Sequence, residues 1–465
     1  MSKKGQLAYS RKNVWEKISE LEKKSVLSMG EDYKQFIKQA KTERETIYLI
    51  KEFAENNGFK PLQGISGPLK PGDRVYAALR NKSMVMAVMG SRPLVEGANI
   101  IGAHVDSPRL DLKVHPLYEK SDLALLETHY YGGIKKYHWL ALPLALHGVV
   151  FRKDGIQVNI CIGEEEGDPV FTVTDLLPHL AREQAEKKVL EAFPGESLDV
   201  LCGSLAVNDR EVKERVKETI LDHLHEKYGI IEEDLVSAEL ELVPAVAPRD
   251  IGFDRSMIGA YGQDDRVCAY AQMMAINGVN LPNRTAVGIF TDKEEIGSVG
   301  NTGMQASFFA NIMAELLEKS TGKYNELLLR RAMNASRALS ADVNAALDPN
   351  FEEVMEKNNA ARLGCGVVIT KYTGSGGKKG ANDAHAEYMA LVRKIFNDHN
   401  VIWQTGELGK VDQGGGGTIA YMLAEYGMDV VDCGVALLGM HSPFEVSHKA
   451  DIYMMHQGYR AFFLS

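Results

Sequence analysis

Cysteine is scarce in this chain of 465 residues, which contains five, and none of them belongs to a Cys-x-x-Cys motif. They are far apart along the chain, at Cys161, Cys202, Cys268, Cys365 and Cys433. An odd number of scattered cysteines indicates neither a disulfide framework nor a zinc site built from thiolates. We therefore predict that the cysteines are small core residues.

An excess of positive charge and long apolar runs are also lacking. The chain carries 53 Lys and Arg against 63 Asp and Glu, a net charge of -10, and its pI is near 5.8. Because nucleic acids and anionic membranes attract basic surfaces, neither is expected as a partner. No apolar run is long enough to span a bilayer, and the basic N-terminus lacks the apolar segment of a signal peptide. We expect a soluble cytoplasmic protein.

The order of helix and strand patterns predicts an α/β fold with a large insertion. A chain of this length, 45% hydrophobic and 25% charged, has room for two domains or for one domain with an inserted module. Amphipathic helices are predicted between residues 13 and 57, followed by three strands that end near residue 103. From about residue 108 to residue 248, strand patterns surround one charged helix. After residue 260 helices and strands alternate, as in a mostly parallel sheet flanked by helices.

An acidic pair, Glu294 and Glu295 in FTDKEEIGSVG, follows the apolar run of residues 285–290. A short apolar run of this kind predicts a buried strand, so the pair is expected at a strand end, where α/β proteins build their sites. An isolated pair of glutamates is more often a solvated turn. Three further strand-like runs of this chain also lead into His or Asp, which favours a functional role.

His104 and Asp106 follow one of these strands and are separated by a single residue. An imidazole can bind a metal through one nitrogen while a carboxylate fixes its orientation through the other. A loop histidine beside an unrelated aspartate is the alternative. Asp342 and His441 follow two more strands, where each residue alone would be an ordinary polar side chain at a strand exit.

Asp264 and Asp265 precede a predicted helix whose apolar residues begin at Val267. Either aspartate could cap the N-terminus of this helix, a structural use worth about 1 kcal/mol. Alternatively, one carboxylate could bridge two metal ions with its two oxygens while Arg266 holds the other aspartate. Considered alone, the motif favours capping.

Taken together, the candidate metal ligands are histidines and carboxylates, with no cysteine among them. They are His104, Asp264, Glu295, Asp342 and His441. Such a set suits zinc, cobalt or manganese in a hydrolytic site. Two ions roughly 3.5 to 4 Å apart would polarise a scissile carbonyl and activate a shared water, whose proton a spare carboxylate must take. Glu294 and Glu295 offer one base and one ligand.

As an ordered set, the segments GAHVDSPRL, DKEEIGS, SADVNAALDPN, GGGGTI and LGMHSPFEVSHKADI resemble the bacterial branch of the aspartyl aminopeptidase family of dinuclear zinc exopeptidases. The resemblance covers nearly the whole chain. It implies the five ligands named above, with Asp264 as the bridging carboxylate, because the family usually has Asn in the slot of Asp265. It also implies Glu294 as the general base and Asp106 as the residue that orients His104.

The same resemblance implies a discontinuous zinc-peptidase domain of residues 1–107 and 249–465. Residues 108–248, called the insert below, would form a β-rich dimerisation domain. The implied assembly is a homo-oligomer, a tetrahedral dodecamer built from dimers, whose interior admits short peptides and excludes folded proteins. The implied cofactors are two divalent ions, zinc first, with cobalt or manganese as alternatives.

Several positions depart from the family pattern and leave the substrate preference open. Ala345 and Asp348 stand where many members have histidines, and the insert reads YGGIKKYHWLALPLAL where relatives carry a longer polar motif. An acidic N-terminal residue needs a cation in the specificity pocket. Lys371 is the family-like candidate, with Lys378 or Lys379 behind it, and a solvated side chain is the alternative for each.

Three further residues are candidates for substrate binding. His179 occupies a place where the family's insert reaches toward a neighbouring active site, although a surface histidine is the simpler interpretation. Gly416 and Gly417, within the run Gly414–Gly417, would let backbone N–H groups approach a substrate, or would form a turn.

We therefore expect a dizinc aminopeptidase that removes N-terminal residues, acidic or of a broader range, from short peptides. A related dizinc deacylase or carboxypeptidase would share the ligand set. A catalytically silent protein that keeps the fold for assembly is the alternative from another class. The presence of a base together with all five ligands argues against that alternative, because buried carboxylates without metal repel one another.

Overall fold

The structure is a computed structural model that describes residues 7–465. The helices in this range are α1 (Glu20–Gln39), α2 (Glu43–Asn56), α3 (Arg182–Ala185), α4 (Val189–Ala192), α5 (Arg215–Tyr228), α6 (Gln263–Asn277), α7 (Phe308–Thr321), α8 (Glu326–Asn334), α9 (Ala386–Asp398), α10 (Ala420–Ala424) and α11 (Lys449–Leu464).

The strands in the same range are β1 (Lys60–Pro61), β2 (Arg74–Leu79), β3 (Ser83–Val88), β4 (Ala98–His104), β5 (Arg109–Lys120), β6 (Leu123–Tyr131), β7 (Leu144–Phe151), β8 (Gln157–Ile162), β9 (Thr172–Val173), β10 (Val200–Gly203), β11 (Ala238–Pro244), β12 (Arg249–Ile251), β13 (Met257–Ala260), β14 (Thr285–Thr291), β15 (Arg337–Ser340), β16 (Asn344–Ala345), β17 (Val367–Thr370), β18 (Trp403–Thr405), β19 (Asp429–Gly434), β20 (Ala436–Leu437) and β21 (Glu445–His448).

Nine of these strands form the larger sheet, in the order β1-β2-β3-β14-β4-β15-β19-β17-β18. The four central strands, from β14 to β19 in that order, are parallel to one another. Helices α1, α2, α6, α9 and α11 cover one face with a hydrophobic core, and α7, α8 and α10 cover the other. The predicted α/β class with a mostly parallel sheet is confirmed. Because the central strands are parallel, their carboxyl ends meet at one edge of the sheet.

Seven strands between Arg109 and Pro244 form a second, antiparallel sheet in the order β8-β7-β11-β5-β6-β10-β9. Helix α5 packs on this sheet, and the two share a hydrophobic core. The two long strands β5 and β6 were not predicted from the sequence. Strand β5 alternates between apolar and charged or polar residues, and both strands are only partly buried, so neither has a fully buried apolar run.

The sequence of residues 430–438 is typical of one continuous strand, but the strand is divided in the structure at Gly434. Strand β19 ends there, and the chain then pairs through β20 with β16 in a separate two-stranded sheet. A Cβ atom at position 434 would lie 2.0 Å from the carbonyl oxygen of Asp342. Only glycine permits this close approach, which brings the end of β19 against the segment that carries Asp342.

The prediction that all five cysteines lie in the core is wrong for Cys161, which is exposed on β8 at an edge of the second sheet. Cys202 is half-buried, and the other three are buried. Among residues 7–465, no helix combines the length and the apolar character that crossing a membrane requires.

Candidate active site

The residues singled out in the sequence meet at the carboxyl edge of the larger sheet. His104 is the last residue of β4, and Asp342 lies two residues beyond β15. Glu294 and Glu295 begin a short 3-10 helix, Glu294–Ile296, three residues after β14. These side chains, with Asp264 and His441, line a cavity of about 460 Å³.

Asp264 lies between the two histidines. Its Oδ1 is 3.2 Å from Nε2 of His104, and its Oδ2 is 3.2 Å from Nε2 of His441. Nε2 of His441 is also 3.4 Å from Oε2 of Glu295. One carboxylate therefore presents a different oxygen to each of two imidazoles, which is the arrangement that two cations sharing one bridging ligand require.

The donor atoms fit divalent metal ions. At this site, ligand atoms within 4.8 Å of one another occur in two groups, His104 with Asp264 and Glu295, and Asp264 with Asp265 and Asp342. Asp264 belongs to both groups. Within residues 7–465, Oε1 of Glu295 and both carboxylate oxygens of Asp265 are buried without a hydrogen-bond partner. Buried unpaired carboxylates are unfavourable, and nitrogen and oxygen donors of this kind are ligands of zinc.

Neither aspartate caps helix α6, so the capping alternative is wrong. The helix begins at Gln263 with Gly262 at the N-cap and no side-chain cap, and the backbone of Asp264 and Asp265 is non-helical. The suggestion that Arg266 holds Asp265 is also wrong. The guanidinium Nε of Arg266 donates to the carbonyl of Val105 at 2.9 Å, and among the described residues no group donates to the Asp265 carboxylate.

Asp106 is fully buried and connects His104 to the acidic pair. Nδ1 of His104 lies 3.1 Å from the carbonyl oxygen of Asp106 and 3.4 Å from its Oδ1. Oδ1 of Asp106 accepts the backbone N–H of Glu294 at 3.1 Å, and Oδ2 accepts that of Glu295 at 3.2 Å. Oδ2 also accepts the hydroxyl of Tyr131 at 2.8 Å. This carboxylate thus holds an imidazole and the 3-10 helix in one arrangement.

Glu445 has a similar role for His441 and was missed in the sequence. Its Oε1 accepts the N–H of His441 at 2.8 Å, and its Oε2 accepts the N–H groups of Gln263 at 2.6 Å and Asp264 at 3.1 Å. The first of these bonds supports His441 in the left-handed conformation, with φ of 64°, which is uncommon outside glycine. No local pattern marks Glu445, since its partner Asp264 is 181 residues away in the chain.

Burial and mutual repulsion perturb the acidic groups of the cavity. Burial, together with the charges of Asp106 and Asp264, raises the pKa of Glu294 to about 7 against the opposing effect of His104. Burial and the neighbouring aspartates raise the pKa of Asp342 well above its ordinary value. Although burial disfavours a charged imidazole, Asp264 and Glu295 raise the pKa of His441 to about 10. The cavity therefore holds more acidic groups than its histidines neutralise, and it attracts cations.

The four residues predicted to bind substrate are not all at this cavity. Gly416 and Gly417 line it. Lys371 does not, because its ammonium forms an ion pair with Asp383, which also binds Lys378. His179 is exposed in the short helix Pro178–Leu180 of the insert and does not line this cavity.

A mostly parallel α/β sheet with histidines and carboxylates clustered at its carboxyl edge defines a metal-dependent hydrolase. The chain belongs to the family described as aminopeptidase I zinc metalloprotease (M18), whose sequence profile matches residues 36–463. It is therefore a zinc metalloaminopeptidase. The resemblance drawn from the sequence is confirmed at the level of the family, and an aminopeptidase is favoured over a deacylase, a carboxypeptidase or a silent scaffold.

Individual relatives agree with this membership over nearly the full length. A probable M18 family aminopeptidase 1 of Clostridium acetobutylicum is 55% identical over 454 residues, which cover 97% of each chain. A crystal structure of an M18 aminopeptidase from Thermotoga maritima superposes with a TM-score of 0.95 at 47% identity, covering 98% of this chain and 99% of that one. A crystal structure of aminopeptidase I from Clostridium acetobutylicum superposes with a TM-score of 0.92 at 53% identity, covering 98% and 100%.

Proposed function

We propose that this zinc aminopeptidase holds two zinc ions and uses Glu294 as its general base. The proposed ligands are His104, Asp264, Glu295, Asp342 and His441. The observation that carries the proposal is the position of Asp264, each of whose oxygens lies 3.2 Å from the Nε2 atom of a different histidine. The membership of Asp264 in both groups of ligand atoms supports the same assignment.

When bound, two such ions polarise the scissile carbonyl and lower the pKa of the attacking water from about 15.7 to about 7. Glu294 is suited to take the proton of that water, because it lines the cavity with 17% of its side chain exposed and lies 3.9 Å from Nε2 of His104. A carboxylate in this position can both accept and release a proton. Glu294 takes the proton as the water oxygen attacks the carbonyl carbon. It then delivers the proton to the leaving nitrogen as the C–N bond breaks.

For the substrate, we propose short peptides with a neutral N-terminal residue in preference to an acidic one. Within residues 7–465, the cavity lining contains no Lys or Arg. Apolar side chains of Val343, Leu408, Met422 and Met440 contribute to it, as does the carboxyl of Asp432. An acidic substrate side chain would meet like charge here, whereas a neutral one would not.

Hydrolysis of leucyl, aspartyl and glutamyl peptides, each with a free and with an acetylated amine, tests this function. We expect the leucyl peptide to be cleaved fastest, no cleavage after acetylation, and loss of activity with a zinc chelator that added zinc restores. Activity that is indifferent to chelation would exclude the proposed mechanism. Faster cleavage of the acidic peptides would exclude the proposed preference and leave the mechanism standing.

We also propose that the insert, residues 108–248, is a separate domain within a discontinuous catalytic domain of residues 1–107 and 249–465, and that it carries a subunit interface. Its own sheet and hydrophobic core support the division. Five large apolar side chains are exposed on one stretch of it, namely Leu176, Leu177, Leu180, Val189 and Leu190. His179 lies within this stretch, where an interface would bury it.

Light scattering on the wild-type protein and on a Leu177→Glu, Leu180→Glu variant tests the interface. We expect a homo-oligomer that the variant disrupts, and a monomeric wild type would exclude it. The dodecamer and the cytoplasmic location stay predictions from the sequence.

A further inference from the structure

We propose that the insert supplies two positioning groups to the metal site, the hydroxyl of Tyr131 and the carbonyl of Gly133, and that zinc affinity depends on both. The inference rests on the proposed function, since it concerns the two histidines that would bind zinc. The residues belong to the YGG sequence at the end of strand β6, a segment for which the sequence predicted no functional role.

Tyr131 acts on His104 through Asp106. It is the last residue of β6, and its hydroxyl donates to Oδ2 of Asp106 at 2.8 Å. The ring of Tyr131 is held in turn by the guanidinium of Arg109, which lies 3.9 Å from the ring centroid. Arg109 is buried and paired with Glu241 at 3.2 Å, so the hydroxyl approaches Asp106 from a rigid support within the insert.

Gly133 acts directly on the other histidine. Its carbonyl oxygen accepts a hydrogen bond from Nδ1 of His441 at 2.9 Å. A proton held on Nδ1 leaves Nε2 as the free lone pair, and Nε2 is the atom that faces Asp264 and Glu295. The carbonyl of Gly133 therefore selects both the orientation and the tautomer that metal binding needs.

The absence of side chains at positions 132 and 133 allows this approach. A Cβ atom at Gly133 would lie 3.3 Å from Nδ1 of His441. One at Gly132, whose φ is +73°, would lie 3.3 Å from Cβ of Glu295. Larger residues would push the loop away from the site, so the glycine pair is what lets the backbone of the insert lie against it.

A three-residue segment of the insert thus orients both imidazoles that flank Asp264. Partners in this outer position typically change metal affinity by about 10-fold to 100-fold when they are removed. The consequence is that the insert, which is remote from the acidic pair in sequence, contributes to the metal centre of the catalytic part.

Tyr131→Phe tests the first group, because it removes the hydroxyl and keeps the ring over Arg109. The matched control is Tyr130→Phe on the same strand, where the side chain is 41% exposed and its hydroxyl has no hydrogen-bond partner among residues 7–465. Each protein is loaded with zinc and titrated with a chromogenic chelator. We expect Tyr131→Phe to bind zinc about 10-fold to 100-fold more weakly. Tyr130→Phe should match the wild type, and all metal-free proteins should unfold at one temperature.

Gly133→Ala tests the second group independently, with Gly167→Ala as control, since a Cβ at Gly167 of the insert meets no atom within 4 Å. We expect Gly133→Ala to weaken zinc binding and the control to leave it unchanged.

Wild-type affinity in both Tyr131→Phe and Gly133→Ala would overturn the inference while the proposed function stands. A wild-type protein that binds no zinc would overturn both. A variant whose metal-free form unfolds at lower temperature would reveal a structural role and overturn the inference for that residue.

Discussion

Two cavities of similar size in this protein differ in what surrounds them. The cavity at the sheet edge measures about 460 Å³ and is lined by histidines and carboxylates, some with buried oxygens that have no hydrogen-bond partner within residues 7–465. A second cavity of about 520 Å³ lies in the insert, beneath α5, and its lining is dominated by leucine, isoleucine and valine. An apolar wall is stable without a ligand, whereas a wall of repelling acids needs cations. The buried acidic groups of the cavity at the sheet edge, and not its volume, therefore distinguish the candidate active site from the apolar cavity.

The largest expected effect is the loss of the carboxylate common to both ligand groups. Asp264→Ala removes the oxygens that lie between His104 and His441, so we expect zinc to be lost and peptidase activity to be undetectable. Zinc content by mass spectrometry and leucyl-peptide hydrolysis measure this. Asp432→Asn, which alters another aspartate of the same cavity, should keep its zinc. A fully active Asp264→Ala protein would contradict the conclusion that the acidic cavity needs cations and the apolar cavity does not.

Glu294→Gln should reduce kcat by about 10²-fold to 10⁴-fold, because the amide cannot accept a proton. Zinc content should not change, since Glu294 is not among the proposed ligands. The exposed Glu425→Gln serves as a control of the same chemistry away from the cavity. Equal activity of Glu294→Gln and wild type would assign the proton transfer to another group.

His147 carries a buried charge that acidic side chains of the protein neutralise, unlike the acidic groups of the cavity. Its removal should therefore affect the stability of the fold. His147 of β7 lies 2.8 Å from Glu45 of α2 and 3.1 Å from Glu164. Although burial opposes its charge, hydrogen bonds with Cys161, Glu164 and Glu45 raise its pKa to about 11. We expect His147→Gln to reduce the free energy of unfolding by about 2 kcal/mol, because it removes the charged hydrogen bonds that the imidazolium makes with Glu45 and Glu164.

This contribution has a defined pH dependence. Since the folded pKa of His147 lies above its unfolded value of about 6.5, its stabilisation is complete below pH 6.5 and is lost as pH rises toward about 11. Urea unfolding of wild type and His147→Gln at pH 6 and pH 9 should show the larger difference at pH 6. A difference that grows with pH would contradict the assigned charge.

The smallest expected effect concerns the apolar cavity. Ile220→Ala on α5 enlarges it and should reduce the free energy of unfolding by about 2 kcal/mol through lost packing. The kcat/KM for a leucyl peptide and the zinc content should both stay at wild-type values. A change in kcat/KM would instead show that the insert cavity is coupled to the candidate active site.

Local sequence patterns were sufficient to predict candidate site residues that lie at the ends of strands. His104, Glu294 and Asp342 were found because each follows an apolar run, and parallel buried strands bring their ends to one edge. Lys371 illustrates the limit of such reasoning. The family resemblance suggested that it contacts substrate, but its charge is paired with Asp383, and no local sequence pattern predicts that pairing.

Sequence patterns did not identify residues that contact the site from other parts of the chain. Glu445 and Tyr131 contact the site through hydrogen bonds to Asp264 and Asp106, and their own surroundings in the chain resemble ordinary strand ends. The glycines that follow Tyr131 were the only local signal, and they are equally typical of a turn.

The sequence by itself determined the α/β class, the family and the set of ligand-type side chains, because apolar periodicity and motif order are properties of the chain alone. Only the tertiary structure decided that Asp264 divides its oxygens between His104 and His441. It also decided that the insert contacts His441 directly and His104 through Asp106. The physical reason is that these contacts join residues more than a hundred positions apart in most cases. Their distances depend on how the two sheets pack and not on any local preference of the backbone.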